Sequence, residues 1–198
     1  MKNSTTKLFY NKISWLYPLI NLFFIPQKKK FSTTINQQPF GRLLEIGIGD
    51  GSLAKLYTNH QVTGIDIAEN MLKKARKNVS AAVQLYCMSG DDLQFPDNSF
   101  DYIVLSHVVA VIDQPTSLFN EVNRVLKPNG KVFILNHFTP NNGLKYLDKG
   151  FSFLSGWLRF RSQFYVADVS NITALKLRQE MNVGLGSYFK ILIYEKAL

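Results

Sequence analysis

Arg42-Leu-Leu-Glu-Ile-Gly-Ile-Gly-Asp-Gly51 is a short apolar run that ends in glycine at three alternate positions. The run reads as a buried strand at 42–47. Gly47, Gly49 and Gly51 let the backbone turn sharply, so a ligand can lie against bare main chain where the next helix offers unpaired N–H groups. The spacing is G-x-G-x-G with Ser at position 52, whereas the dinucleotide fingerprint is G-x-G-x-x-G, which points away from NAD and FAD.

Downstream, the pattern predicts a helix at 52–58, a second strand at 61–66 and a Lys/Arg-rich helix at 68–79. Strands at 83–88 and 100–107 follow, then a helix at 115–126 capped by Asp113, a turn at 127–130 and a strand at 131–137. A further helix is expected at 171–181 and a last strand at 188–195. Such alternation predicts a mostly parallel sheet covered on both faces, with its ligand crevice at the carboxyl ends of the strands. Asp66 closes the second strand, where an acid accepts hydrogen bonds from the hydroxyls of a ribose or, more plainly, caps a helix.

A chain of 198 residues is one domain's worth, and 46% hydrophobic with 19% charged residues excludes a mainly disordered or polytopic membrane protein. One cysteine, Cys87, forms no intrachain disulfide or thiolate cluster, which suits a reducing cytoplasm, and within strand 83–88 it reads as an inert core residue. The formal charge of +9 is unevenly placed: residues 1–44 hold six lysines, Arg42 and no acid, which leaves +2 for the other 154 residues.

Residues 8–25 are rich in apolar and aromatic side chains but are interrupted by Asn11, Lys12, Ser14, Pro18 and Asn21. That is poor material for a spanning helix, and Pro18 is expected to kink or divide any helix there. The run leads through Pro26 into Lys28-Lys29-Lys30, unlike a secretory signal. Two readings remain: an interfacial segment with its lysines toward anionic lipid phosphates, or a cover over the protein's own core or active site. A polar linker is expected at 32–39. Nucleic acid is disfavoured, because the basic residues cluster with bulky apolar ones and no base-reading module is present.

Four motifs together resemble those of the class I S-adenosylmethionine-dependent methyltransferases, over about residues 40–140: Glu45-Ile-Gly-Ile-Gly-Asp-Gly51, Val62-Thr-Gly-Ile-Asp66-Ile-Ala-Glu-Asn-Met71-Leu, Asp92-Leu-Gln-Phe-Pro-Asp-Asn-Ser-Phe-Asp101 and Glu121-Val-Asn-Arg-Val-Leu-Lys-Pro-Asn-Gly130. The resemblance implies a Rossmann-like α/β fold with a mostly parallel seven-stranded sheet, helices on both faces and an N-terminal helical extension. It places a basic, aromatic segment at 1–31 and the methyltransferase domain at 40–198. It further implies that Gly47, Gly49 and Gly51 border the methionine portion of the cofactor and Asp66 the ribose, while Ile67 and Met71 cover the adenine. Glu45 would help to hold the loop and the cofactor's amino group. Ser89 stands where the family usually has an adenine-binding Asp, with Gly90 and Asp91 after it.

A narrower resemblance is to bacterial phosphatidylethanolamine N-methyltransferases, through Ser106-His-Val-Val-Ala-Val-Ile-Asp-Gln-Pro115, Leu135-Asn-His137-Phe and the aromatic N-terminus with Tyr10 and Tyr17. It adds Ser106 to the cofactor set. It also implies a peripheral protein on an anionic inner-membrane surface with an amine-bearing lipid as substrate. Gly156-Trp157 with Phe164 resembles that group's later Gly-Trp segment.

Methyl transfer is an in-line displacement that needs a neutral nucleophile, a dry site and no metal. His107, His137 or a tyrosine is the candidate to take the amine's proton. Tyr10, Tyr17, Trp157 and Tyr165 could face a methylated cation, and Arg159 and Arg161 could hold a lipid phosphate. His60, in the turn before the second strand, reads as a surface residue. Three function classes are left for comparison: a lipid amine methyltransferase, a methyltransferase of a soluble metabolite or quinone with an N-terminal lid, and a non-catalytic nucleotide- or membrane-binding module.

Overall fold

The computed structural model describes residues 17–109, 112, 114–138, 167, 169, 175–183 and 189–198, with residues 17–25 described by backbone alone. The elements are α1 (Tyr17–Asn36), β1 (Gly41–Ile46), a 3₁₀ turn (Ala54–Leu56), β2 (His60–Asp66), α2 (Glu69–Asn78), β3 (Gln84–Cys87), β4 (Phe100–Ser106), α3 (Pro115–Val125), β5 (Leu126–His137), β6 (Lys176–Val183) and β7 (Phe189–Glu195). Seven strands form one sheet in the order β3-β2-β1-β4-β5-β7-β6. The first five strands pair in parallel, and β7 runs antiparallel to both β5 and β6.

Alternation along the central strands divides the core into two faces. Leu44 and Ile46 of β1 pack on one face with Ile103, Leu105, Val132 and Ile134, under Leu118, Phe119, Val122 and Val125 of α3. Leu43 turns to the other face with Val104, Phe133 and Leu135, under Phe31 and Ile35 of α1. Leu72 of α2 packs with Ile48 and Ala54 beside that second layer.

Several sequence-based expectations are corrected. The linker at 32–39 is instead the end of α1, which runs to Asn36. Phe31 and Ile35 lie four residues apart and are fully buried, so burial of that stripe outweighs the polar composition around it. Ser32 and Thr33 hydroxyls donate to Lys29 O, and the Thr34 hydroxyl donates to Lys30 O, which satisfies these side chains within the helix. Pro18 is the second residue of α1 as described, a position where proline costs no helical hydrogen bond, and Pro26 lies inside the helix.

The helix expected at 52–58 shrinks to the 3₁₀ turn. Asn36 explains the break: its Nδ2 donates to Leu56 O at 2.9 Å and its Oδ1 accepts from Thr58 N at 3.1 Å, so backbone groups that would continue the helix are diverted to a side chain. The helix expected at 171–181 is overturned by β6, paired with β7 from Lys176 to Val183. There an edge seat on the sheet overrides local helix propensity. Cys87 is exposed rather than buried, because β3 is the edge strand and among the described residues has only β2 beside it.

The 127–130 turn is absorbed into β5, which starts at Leu126; Asn129 takes a left-handed φ of 60° and the pairing with β4 shifts between Phe100 and Tyr102. Gln114 is the N-cap of α3, and Asp113 lies outside the described residues. His60 is half-buried, its Nε2 3.0 Å from Ile35 O and its ring edge-on to Tyr102.

Candidate active site

The carboxyl ends of β1, β2 and β4 meet at the glycine loop. Gly47, Gly49 and Gly51 have φ of 72°, 58° and 76°, the left-handed region that side chains resist. Gly47 N and Ile48 N both donate to Ile65 O, and Gly49 N donates to Asp66 Oδ2 at 2.9 Å. Asp66 Oδ1 accepts from Ala68 N at 2.8 Å, so this carboxylate ties the loop to the entry of α2, whose N-cap is Ala68. Burial raises the Asp66 carboxyl above its usual range, with these backbone donors opposing. Asp66 therefore anchors the loop.

Glu45 points to the α1 face of the sheet, as its alternation with Leu44 and Ile46 requires. It is 2% exposed, and its Oε2 has no hydrogen-bond partner among the described residues. Burial pushes its carboxyl up to about 8, opposed by the Tyr57 hydroxyl and Lys28 and reinforced by Asp50 and Asp66. The Tyr57 hydroxyl is itself buried without a hydrogen bond of normal geometry, and burial and then Glu45 hold it well above the usual phenol range.

Lys28 reaches over from α1 to donate to Ser52 Oγ at 2.6 Å. Burial lowers its ammonium, with Asp50 and Glu45 opposing. Sequence reasoning missed Lys28 and Tyr57. The signal for Lys28 was present in the four-residue spacing of Gln27, Phe31 and Ile35, all buried, which places Lys28 beside the inward stripe.

His107 follows β4 with a φ of 58°, an uncommon conformation for a residue with a side chain, and its N–H donates to Leu135 O. Its ring stands edge-on to Phe189, with centroids 5.9 Å apart. His137, the last residue of β5, pairs with the same Phe189 and is buried. The two histidines thus share one corner. Burial pushes the His107 imidazole down to about 4, helped by His137 and Lys28.

On the other side of the loop, Ile67 is 40% exposed and Met71 half-buried. Ser89 donates its hydroxyl to Asp91 Oδ1, which brings a carboxylate to the position where the motif has Ser. Gly90 is buried, where a Cβ would meet Ile46 Cγ2 at 2.7 Å. Ser106 is half-buried at the end of β4. Tyr10, Trp157, Arg159, Arg161 and Tyr165 lie outside the described residues, as does the side chain of Tyr17.

The residues present fit S-adenosylmethionine. A Cβ on Gly47 would strike Val108 Cγ2 at 2.5 Å and one on Gly51 would strike Val79 Cγ1 at 2.6 Å, so those glycines are required by packing. Among the described residues a Cβ on Gly49 would meet only Met71 Cε at 3.5 Å, so there glycine is required by its left-handed φ and not by crowding, and that side of the loop is open to a ligand. An orphaned buried carboxyl oxygen on Glu45 beside that loop suits a cationic amino group.

Fold and loop define a Rossmann-like methyltransferase domain, and comparison with known proteins agrees. Residues 44–134 match the family described as "Methyltransferase domain". A phosphatidylethanolamine N-methyltransferase of Cereibacter sphaeroides is 31% identical over 163 residues, 79% of this chain and 80% of the relative. A demethylmenaquinone methyltransferase of Staphylococcus epidermidis is 32% identical over 120 residues, 57% of this chain and 50% of the relative. A solved Thermotoga maritima protein, described as a possible histamine N-methyltransferase, superimposes with a TM-score of 0.73 over 96% of this chain and 97% of its own, at 18% identity.

The chain belongs to the class I S-adenosylmethionine-dependent methyltransferases. It is an enzyme with S-adenosylmethionine as methyl donor, which removes the non-catalytic module from the comparison.

Proposed function

We propose that the protein methylates the amine headgroup of a membrane lipid, phosphatidylethanolamine and its methylated derivatives on the way to phosphatidylcholine. The observation that carries this reading is the length of the match to the Cereibacter sphaeroides enzyme. Its 163 residues extend well beyond the 91 residues of the shared methyltransferase domain. The match to the demethylmenaquinone enzyme covers a smaller share of both chains, so a quinone acceptor is the second reading.

The electrostatics of the site support an amine. When bound, S-adenosylmethionine supplies a methyl group made electrophilic by its sulfonium. An attacking amine must be neutral, yet a primary amine has a pKa near ~10 by analogy with lysine. Burial at this corner lowers both the Lys28 ammonium and the His107 imidazole, and the same burial acts on an amine placed between them. With a pKa of about 4, His107 is too weak a base to strip an ammonium outright. Its role is to accept a hydrogen bond from the neutral amine and aim the nitrogen lone pair, with His137 beside it. Asp66 would take the ribose, Ile67 and Met71 the adenine face, and Ser89 with Asp91 the exocyclic amine. Glu45 would face the cofactor's amino group.

The protein would work at an anionic membrane surface, with residues upstream of α1 as the contact. Among the described residues no helix is long and apolar enough to cross a membrane. The experiment is transfer of methyl label from S-adenosylmethionine to vesicles that contain phosphatidylethanolamine, followed by lipid extraction. Label in mono- and dimethylated lipid is expected, whereas label confined to soluble or quinone acceptors rejects the lipid reading.

A further inference from the structure

We propose that the outer face of α2, in the helical layer it shares with α1, docks on an anionic lipid bilayer through Lys73, Lys74 and Lys77. The proposal rests on the reading that the protein works at such a surface, and it adds a contact on the folded domain to the residues upstream of α1.

α2 buries Leu72 and Ala75 and leaves Lys73, Lys74, Arg76 and Lys77 exposed. Its one acid, Glu69, pairs with Arg76 at 3.2 Å. Lys73, Lys74 and Lys77 make no hydrogen bond or ion pair among the described residues. Lys73 and Lys77 stand four residues apart, and Lys74 and Lys77 three, spacings at which like charges repel and weaken a helix. The helix dipole favours cations in the last turn, which accounts for Arg76 and Lys77 but not for Lys73 and Lys74. Helix stability therefore does not explain the stripe, whereas a negative surface against it does.

The charge is also one-sided across the sheet. α1, the 3₁₀ turn and α2 carry eight lysines and arginines against Glu69 alone, a net +7. On the opposite face α3 is bonded to the segment 88–99 through Leu93 and Phe95, and these two pieces carry Asp91, Asp92, Asp97 and Glu121 against Arg124, a net −3. Such a distribution turns the α1–α2 face toward a negative partner. The exposed cations of that layer other than Arg76 are all lysines. Lysine is a hydrated point charge on a flexible stem, which suits a fluid field of lipid phosphates, while a fixed anion site favours the planar fork of arginine.

The test is sedimentation of the full chain with vesicles of phosphatidylethanolamine and phosphatidylglycerol. Replacing Lys73, Lys74 and Lys77 together by Gln is expected to raise the lipid concentration for half-binding about 100-fold, at about 5-fold per lysine, and replacing them by Arg should leave it near the wild type. Methyl transfer to a short-chain phosphatidylethanolamine dispersed below its micelle concentration should be unchanged in the Gln variant, because the reaction itself does not use these lysines. Lys73→Gln with Lys77→Gln, expected to lose about 25-fold, gives the same reading should the triple variant not fold. Unchanged vesicle binding by the Gln variants overturns the proposal, as does equal binding of the wild type to vesicles of phosphatidylcholine alone. A wild type that ignores both vesicles but is retained by heparin overturns lipid as the partner. Release of the Gln variant from anionic vesicles, with methyl label confined to soluble acceptors, supports this face and overturns the lipid substrate instead.

Discussion

Glu45 is the residue on which burial and function conflict most openly. Its carboxyl is pushed up to about 8 from an ordinary value of 4.5, so the folded state holds the proton more tightly than the unfolded chain. The stability it contributes is therefore fully present below about 4.5 and lost as pH rises through 8, a cost on the order of a few kcal/mol. Glu45→Gln is expected to flatten the fall in stability between pH 5.5 and 8.5 in denaturant titrations; an unchanged slope would remove Glu45 as its source. A cationic amino group docked against Glu45 would lower its pKa and expel the proton. Binding enthalpies of S-adenosylmethionine at pH 7 should accordingly vary with the ionisation enthalpy of the buffer in the wild type and not in the variant.

At the scale of the element, the loop after β1 contains glycines of two kinds. Gly51 is bare because Val79 and Ala75 of the α2 end press on it, and Gly49 is bare toward open space. Gly51→Ala should destabilise the fold by about 2–4 kcal/mol, from left-handed strain plus overpacking. Gly49→Ala should cost only about 1–2 kcal/mol of strain yet weaken S-adenosylmethionine binding at least tenfold. Melting curves and calorimetry on the two variants separate these effects, and equal losses of affinity per unit of stability would argue that Gly49 is structural as well. α1 shows the same division of labour. Phe31 and Ile35 bind it to the sheet, while Lys28 and Lys30 donate to Ser52 Oγ and Asn182 O. Two of the three clustered lysines are thus engaged by the protein itself.

Across the whole molecule, α1 joins the N-terminal region to the core, so cutting at residue 30 would remove the buried Gln27 and most of the helix that seats Phe31 against the sheet. Removal of residues 1–16 is the cleaner test of membrane contact. That truncation should leave S-adenosylmethionine binding within about twofold, since the glycine loop and Asp66 remain, and should abolish sedimentation with anionic vesicles, where each lost lysine is worth about 1 kcal/mol. Retained sedimentation would move the contact to another face.

The local pattern was sufficient for the cradle and its neighbours: alternate glycines, an acid at the end of the next strand and apolar runs of strand length depend on residues close in the chain. Contacts across the chain settled the remainder. Residues 32–36 are helical because Phe31 and Ile35 find a sheet face to bury against, and 176–183 is a strand because β7 offers it an edge. Cys87 is exposed because, among the described residues, no strand follows β3 on the outer side of the sheet. Lys28 looked like one more solvated lysine until folding carried it 24 residues along the sequence to Ser52, and burial of a charge is a property of its surroundings that no single segment encodes.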